Sequence, residues 1–436
     1  MEWDWGLLVH VCRRWRQVVF ASPRRLDLRI LCTTRTPARK NLGIWPSFPI
    51  TISDFHCGNS NEDEDNLIAA LEHSDRVSEV ALEVAGSQLG TFTMVMHKPF
   101  PVLTSLYIAS EDANTPVLPA EFLGGSAPCL QCIYLDGIPY PSLPTLLLFA
   151  NDLVSLRLRN IPQTGYVTPE ALAVGLAAVP RLNELNLEFQ SATPRPDSIP
   201  PHRLTRIVLT FLANFTFEGA SEYLEDLVSR IDAPQLKDFF VYYLNQLVDF
   251  RVIELPKFIN RSVGAKLTHG RYARVTFDSG RVTFHTSHFS NDPSAAITIF
   301  CKGIDWQVSH VAQVLSEFSV TLSNVGHLKL EDQLEDDHQI DGTEDVEWLH
   351  LLHRFATAQS LYVSRKLAAH VALALEQVTW ETVAGVLPSL EMIYLAGQPE
   401  SSIEKFIAAC TTSGLSVTVV SSENEYLEKI ESYVSK

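Results

Sequence analysis

The residue types able to do chemistry are few and poorly spaced for it. Cys129 and Cys132 form a C-x-x-C pair, but a tetrahedral zinc site needs further ligands at matching spacing, and no second pair exists. The pair also straddles Leu130, an inward-pointing position of a predicted strand, so it reads as coincidence. His350 and His353 lie in VEWLHLLHRF without the H-E-x-x-H that would set two imidazoles and a base on one zinc. The run EDQLEDDHQIDGTEDVEW, 331–348, holds nine acids. Aligned on Gly342, it puts Asp337 and Asp341 at calcium-ligand positions. Gln339 then stands third and Trp348 last, where a bidentate Glu is required. A solvated acidic loop, or a docking tag for a basic partner, accounts for the run better. No G-x-x-x-x-G-K-[ST], G-x-G-x-x-G or G-x-S-x-G occurs. The expectation is a protein that is not an enzyme and holds neither metal nor cofactor.

Composition narrows the class further. The chain has 436 residues, 46% hydrophobic and 19% charged, which suits a globular protein with room for two or three domains. A net charge of −17 argues against nucleic acid as a partner. The charge is uneven: residues 1–40 carry nine Lys/Arg and three acids, a balance of +6, leaving −23 for the remainder. Seven cysteines, odd in number and scattered, suit reduced thiols better than a disulfide framework. The opening MEWDWG has no signal-peptide character. The longest clean apolar run, ALAVGLAAV at 171–179, falls well short of the roughly 18 residues of a membrane span. A cytoplasmic or nuclear protein with no membrane partner is expected.

The elements that would position any site follow from one recurring word, an apolar residue at i, i+3 and i+5. It appears at Val77-Val80-Leu82, Leu103-Leu106-Ile108, Leu130-Ile133-Leu135, Leu153-Leu156-Leu158, Leu182-Leu185-Leu187, Leu204-Ile207-Leu209 and Leu236-Phe239-Val241. The intervals are 26, 27, 23, 29, 22 and 32 residues. It returns at Val325-Leu328-Leu330, Ala358-Leu361-Val363 and Leu390-Ile393-Leu395, 33 and 32 residues apart. L-x-x-L-x-L at such periods is the core of a leucine-rich repeat, one short strand and one return per unit. Helix-like stretches at 65–74, 169–180 and 221–231 fall between strands, so the expected fold is α/β: a leucine-rich-repeat-like curved solenoid with a parallel sheet. Residues 242–324 break the rhythm. Alternation at 271–277, 281–285 and 296–300 predicts strands with a hairpin, and 306–318 an amphipathic helix; distorted repeats and an insertion both remain open there.

Side chains alternate along a strand, so the residue between the last two apolar positions of each word should face away from the core. That position reads Ala81, Tyr107, Tyr134, Arg157, Asn186, Val208, Phe240, Lys329, Tyr362 and Tyr394. Five of these ten are aromatic, against 9% in the whole chain, and aromatic and Arg side chains anchor protein interfaces. Tyr107, Tyr134, Arg157, Asn186, Phe240, Tyr362 and Tyr394 are therefore the candidates for binding a protein target. Ordinary β-propensity, or coverage by another part of the chain, would also place aromatics there.

At the N-terminus, Leu7, Val11, Trp15 and Val18, flanked by Leu8, Cys12 and Val19, form one stripe of a helix over 5–20, with Asp4 as N-cap and Ser22-Pro23 as stop. So short a helix is marginal alone and must pack on this chain or on a partner. V-C-R-R-W-R, then S-P-R-R-L-D-L and Trp45-Pro46, resembles the C-terminal half of an F-box, and more closely the F-box proteins of mushroom-forming fungi (basidiomycetes). LGGSAPCLQCIYLDGIPYPSLPTLLL (123–148), RNIPQTGY (159–166), SEYLEDLVSRIDAPQL (221–236) and CKGIDWQVSH (301–310) share that character, so the resemblance spans most of the chain. An F-box begins with a leucine/proline-led helix upstream of this element, so the segment here matches an N-terminally truncated module.

The resemblance implies a partial F-box-like helical segment over 1–30, a linker over 31–60 and the repeat body over 61–436, irregular at 242–324. It also implies a substrate-recognition subunit of a Skp-cullin-F-box type ubiquitin ligase, holding an unknown protein target on the repeats. Leu7, Leu8, Val11, Cys12, Trp15 and Val18 would then meet a Skp-type adaptor, which links to a cullin. The alternative is a ligase-independent repeat scaffold or decoy whose vestigial F-box caps the first repeat.

Overall fold

The computed structural model describes residues 12–21, 28–43, 47–54, 61–192, 206–244, 252–262, 271–287, 295–301, 304–318, 322–333, 345–378, 383–396 and 401–420. The fold is mixed α/β with mostly parallel strands, in two compact units, Met1–Gln190 and Ser191–Lys436.

In the first unit the strands are β1 (Ile30–Cys32), β2 (Ile50–Asp54), β3 (Val77–Glu83), β4 (Ser105–Ala109), β5 (Cys132–Asp136), β6 (Ser155–Ile161) and β7 (Glu184–Phe189). They pair in parallel in sequence order. The repeat word explains them. Leu103, Leu106 and Ile108, like Leu130, Ile133 and Leu135, are at most 2% exposed, because alternate strand positions meet the returning chain on one face only. Helix α1 (Arg13–Phe20) precedes the first strand, and the returns include α2 (Asn61–Leu71), α3 (Gly86–Val95), α4 (Leu143–Leu147) and α5 (Pro169–Ala177). Helix α5 starts where its sequence says it should: the Thr168 hydroxyl accepts from the Ala171 amide at 3.2 Å and Pro169 opens the first turn. Gly137 follows β5 at φ +68°, where an added Cβ would lie 2.1 Å from the Ser110 carbonyl oxygen. The turn therefore requires glycine.

The stretch 31–60, read as linker, instead contains most of β1 and all of β2. Leu28, Ile30 and Cys32, and Phe48, Ile50 and Ile52, are all buried. Their apolar residues run i, i+2, i+4, a plain strand alternation rather than the repeat word.

In the second unit the strands in spatial order are β9 (Asn214–Gly219), β11 (Asp238–Tyr243), β14 (Ala295–Phe300), β13 (Arg281–Ser287), β12 (Tyr272–Asp278), β15 (His327–Asp332), β16 (Ser360–Val363), β17 (Met392–Leu395) and β18 (Thr418–Val420). Strand β13 is antiparallel to β12 and β14, and the other pairings are parallel. The irregular region is thus a β12–β13–β14 meander set into the sheet in reverse order. Its tight turn is held by Asp278, whose carboxylate accepts from the Ser279 amide at 2.7 Å and Arg281 Nε at 3.1 Å. Helices α6 (Ser221–Arg230), α7 (Glu254–Arg261), α8 (Ile304–Ser316), α9 (Asp345–Leu352), α10 (Arg365–Glu376) and α11 (Ser401–Thr412) make the returns.

One repeat word is misplaced. Ile207–Val208 forms β8 and pairs with β10 (Ile231–Asp232) in a separate two-stranded sheet; Val208 is 56% exposed. The sheet strand of that repeat is β9, with Leu212, Phe215 and Phe217 all at 0% exposure. Phenylalanine replaces leucine because the core here is aromatic: Phe215 packs edge-on to Phe239 and Phe258, at 5.7 and 6.3 Å between ring centroids. Among the described residues no helix is long and apolar enough to cross a membrane.

Candidate functional site

The expected outward row is present in the first unit. Ser53, Ala81, Tyr107, Tyr134, Arg157 and Asn186 stand in register across β2 to β7. All are partly or fully exposed, whereas the residues on either side of Ala81, Tyr107, Tyr134, Arg157 and Asn186 are buried. The Tyr107 and Tyr134 rings stack at 4.5 Å and 14°, the offset-parallel arrangement favoured by ring quadrupoles.

Around the rings lies a charged network that the repeat word did not single out. Arg159 Nη1 donates to the Tyr134 hydroxyl at 3.1 Å, and that hydroxyl donates to Asp136 Oδ2 at 3.1 Å. Asn160 Nδ2 donates to the other Asp136 oxygen at 2.6 Å. Arg157 forks onto Glu184 through two bonds of 2.8 Å, and Arg159 reaches Glu188 at 2.7 Å. Asn186 donates to Glu188 as well, at 2.8 Å. Asp136, Arg159, Glu184 and Glu188 sit two residues along from the outward row, so strand alternation alone would have found them. Burial raises the Tyr107 phenol above its ordinary value, and Tyr134, Glu83 and Asp136 push the same way. Burial likewise raises Tyr134. Both phenols are neutral donors at physiological pH. Arg159 is held above its ordinary range mainly by its bond to Glu188. These are exposed pairs of modest energy; their effect is to fix side-chain geometry.

Three other candidates lie in the second unit. Phe240 is half-buried on β11. Tyr362 and Tyr394, expected to face outward, are only 2% and 1% exposed and cluster with Tyr272. They are core residues, because the strand face that carries them is itself covered: Ser360 and Lys329 there are 4% and 8% exposed.

Leu7, Leu8, Val11 and the predicted N-cap Asp4 lie outside the described residues. Residues 12–18 are all exposed, both the apolar Trp15 and Val18 of α1, at 52% and 54%, and its Arg13, Arg14 and Arg16, with Cys12 just before it. The thiols of Cys129 and Cys132 are free and exposed. The last residue of the acidic run, Trp348, is fully buried against Phe277 at 5.3 Å between ring centroids, so it is a core residue. His353 donates to the Gly385 carbonyl at 2.7 Å. Among the described residues no group of three His, Cys, Asp or Glu is arranged to hold a metal.

No family model matches the chain, and no curated protein does. Among solved structures, the chain is similar to the leucine-rich repeat-containing protein LegL7 of Legionella pneumophila, at 10% identity and a TM-score of 0.25, over 89% of this chain and 98% of that one.

Proposed function

We propose that the chain is a protein-interaction scaffold that holds a protein target on the outward sheet face of its first unit, without covalent chemistry of its own. The observation that supports this reading is the Tyr107–Tyr134 stack, half-exposed and framed by ordered Arg and carboxylate side chains. Preset aromatic and Arg groups bind with little further loss of side-chain entropy. On the resemblance of its N-terminal segment to an F-box, the scaffold serves as the substrate-recognition subunit of a Skp-cullin-F-box type ubiquitin ligase, raising the local concentration of target lysines near the ubiquitin-loaded enzyme. The exposure of Trp15 and Val18 favours this over the ligase-independent scaffold, in which α1 would spend its apolar side capping the repeats.

The test is co-purification of the full chain with a Skp-type adaptor, repeated with Trp15→Ala and Val18→Asp. Capture by the wild type and its loss in both variants, with unchanged melting, is the expected result. Lowered melting with capture intact would return α1 to the role of a cap.

A further inference from the structure

Two sets of three neighbouring parallel strands carry the same residue pattern. In the second unit, β15, β16 and β17 place Lys329, Tyr362 and Tyr394 in one row. In the first unit, β3, β4 and β5 place Ala81, Tyr107 and Tyr134 in one row. Each set also has a carboxylate two residues beyond the first member, Glu331 and Glu83. The difference is the first member itself, lysine in one set and alanine in the other.

The second unit shows what the pattern does when complete. The Lys329 ammonium sits 4.8 Å from the centroid of the Tyr362 ring and is ion-paired with Glu331. Arg274, in register with Lys329 on the preceding strand, adds a second cation 3.4 Å from Glu331. The carboxylate thus meets two cations, and the ring one. Its central pair is buried, with Lys329 at 8% and Tyr362 at 2% exposure.

In the first unit both cations are missing. Ala81 stands at the lysine position and Ser53, its register partner on the preceding strand, at the arginine position. Arg29 pairs with Glu79, the carboxylate on the other side of Ala81, and among the described residues Glu83 has no ion-pair partner. Ala81, Glu83 and Tyr107 are all partly exposed. A methyl group therefore occupies a place, between a tyrosine ring and a carboxylate, that elsewhere in this molecule is filled by a four-carbon stem and its ammonium.

We infer that the Ala81 position is a cation slot filled in trans by a lysine or arginine side chain of the protein target, stacked on Tyr107 and paired with Glu83. This rests on the target-holding role of the face and names the chemistry of what is held. Charge agrees with it, since the chain carries −17 overall, which draws basic segments toward its surface.

The probe is a fluorescein-labelled hexa-arginine peptide, followed by fluorescence anisotropy with the full chain near physiological salt. Ala81→Lys fills the slot from within, and Glu83→Gln removes its charge without changing its shape. Ala81→Lys should weaken the probe by about tenfold, the combined scale of one exposed cation–ring contact and one ion pair, and Glu83→Gln, which removes the ion pair alone, by about fourfold. Glu170→Gln, an equal charge change on α5, should leave binding unchanged. Thermal melting checks that each variant is folded, and Glu83→Gln decides the matter if Ala81→Lys does not fold. Probe binding within about twofold of wild type in Glu83→Gln and Ala81→Lys, an equal loss in Glu170→Gln, or no binding by the wild type each overturns the slot. Capture of a target through Tyr134 in the presence of such a result would leave the face as a docking surface and remove only the cation.

Discussion

Glu225, on α6, accepts hydrogen bonds from three successive backbone amides at the start of α7: Ile253 at 2.8 Å, Glu254 at 2.5 Å and Leu255 at 3.1 Å. One side chain thus satisfies most of the amides that a helix start leaves without intrahelical partners. It ties two consecutive returns of the second unit together by capping, in addition to the buried apolar faces of both helices, Leu224, Leu227 and Val228 on one and Leu255, Phe258 and Ile259 on the other. Burial nonetheless raises the Glu225 carboxyl above its ordinary value, outweighing the three amides.

Removing that cap should be felt. Glu225→Ala is expected to cost about 1–2 kcal/mol, the range of a lost helix cap. Glu225→Gln keeps one acceptor oxygen and sheds the buried charge, so it should cost less. Urea unfolding of both variants checks the order, and a Glu225→Ala protein as stable as the wild type would show that the capping bonds contribute nothing.

The corrected repeat boundary gives a sharp contrast between two apolar residues close in sequence. Phe215→Ala should destabilise by about 3–5 kcal/mol, since it empties the aromatic core against Phe239 and Phe258. Val208→Ala should change stability by no more than about 0.5 kcal/mol, as at other exposed sites. If Val208 proved the more costly, the strand of that repeat would lie at 207–209 after all.

The tyrosine stack should matter to binding more than to folding. Tyr134→Ala removes the ring contact and the bonds to Arg159 and Asp136, yet the site is half-exposed, so the loss should stay near about 1 kcal/mol. Target capture should fall much further. A variant that unfolds at ambient temperature would place these rings in the core instead.

Stability should fall on mild acidification. Burial holds His285 below its ordinary 6.5, with Arg274 pushing the same way and Glu331 opposing; burial lowers His310 as well. A histidine with a depressed native value binds fewer protons folded than unfolded, so its share of stability is full above 6.5 and is lost as pH falls below that value toward the native one. His285→Gln should therefore flatten the decline in melting temperature between about pH 7 and about pH 5. An unchanged slope in the variant would remove His285 as a source.

The sequence by itself determined the strands that carry the repeat word, because three apolar residues at i, i+3 and i+5 can all reach a core only from a strand and the turn before it. Val77 to Leu82, Leu103 to Ile108 and Leu390 to Leu395 were legible for that reason, as were the hairpin and helix of the irregular region. The outward row through Tyr107 and Tyr134 followed from alternation alone. Strands β1 and β2 were not legible as repeats, since plain alternation satisfies the same burial through a different word; β9 carries the word at Leu212, Phe215 and Phe217, but the competing match at Leu204, Ile207 and Leu209 eight residues earlier masks it. Only the tertiary structure decided which outward positions remain open. Tyr107 and Tyr362 occupy the same place in the word, yet one is half-exposed and the other buried, because exposure depends on what covers a strand face and a local sequence does not encode its cover. The same holds for the charged frame: Arg157 meets Glu184, and Arg159 meets Glu188 and Tyr134, through strand register, which is settled by long-range pairing.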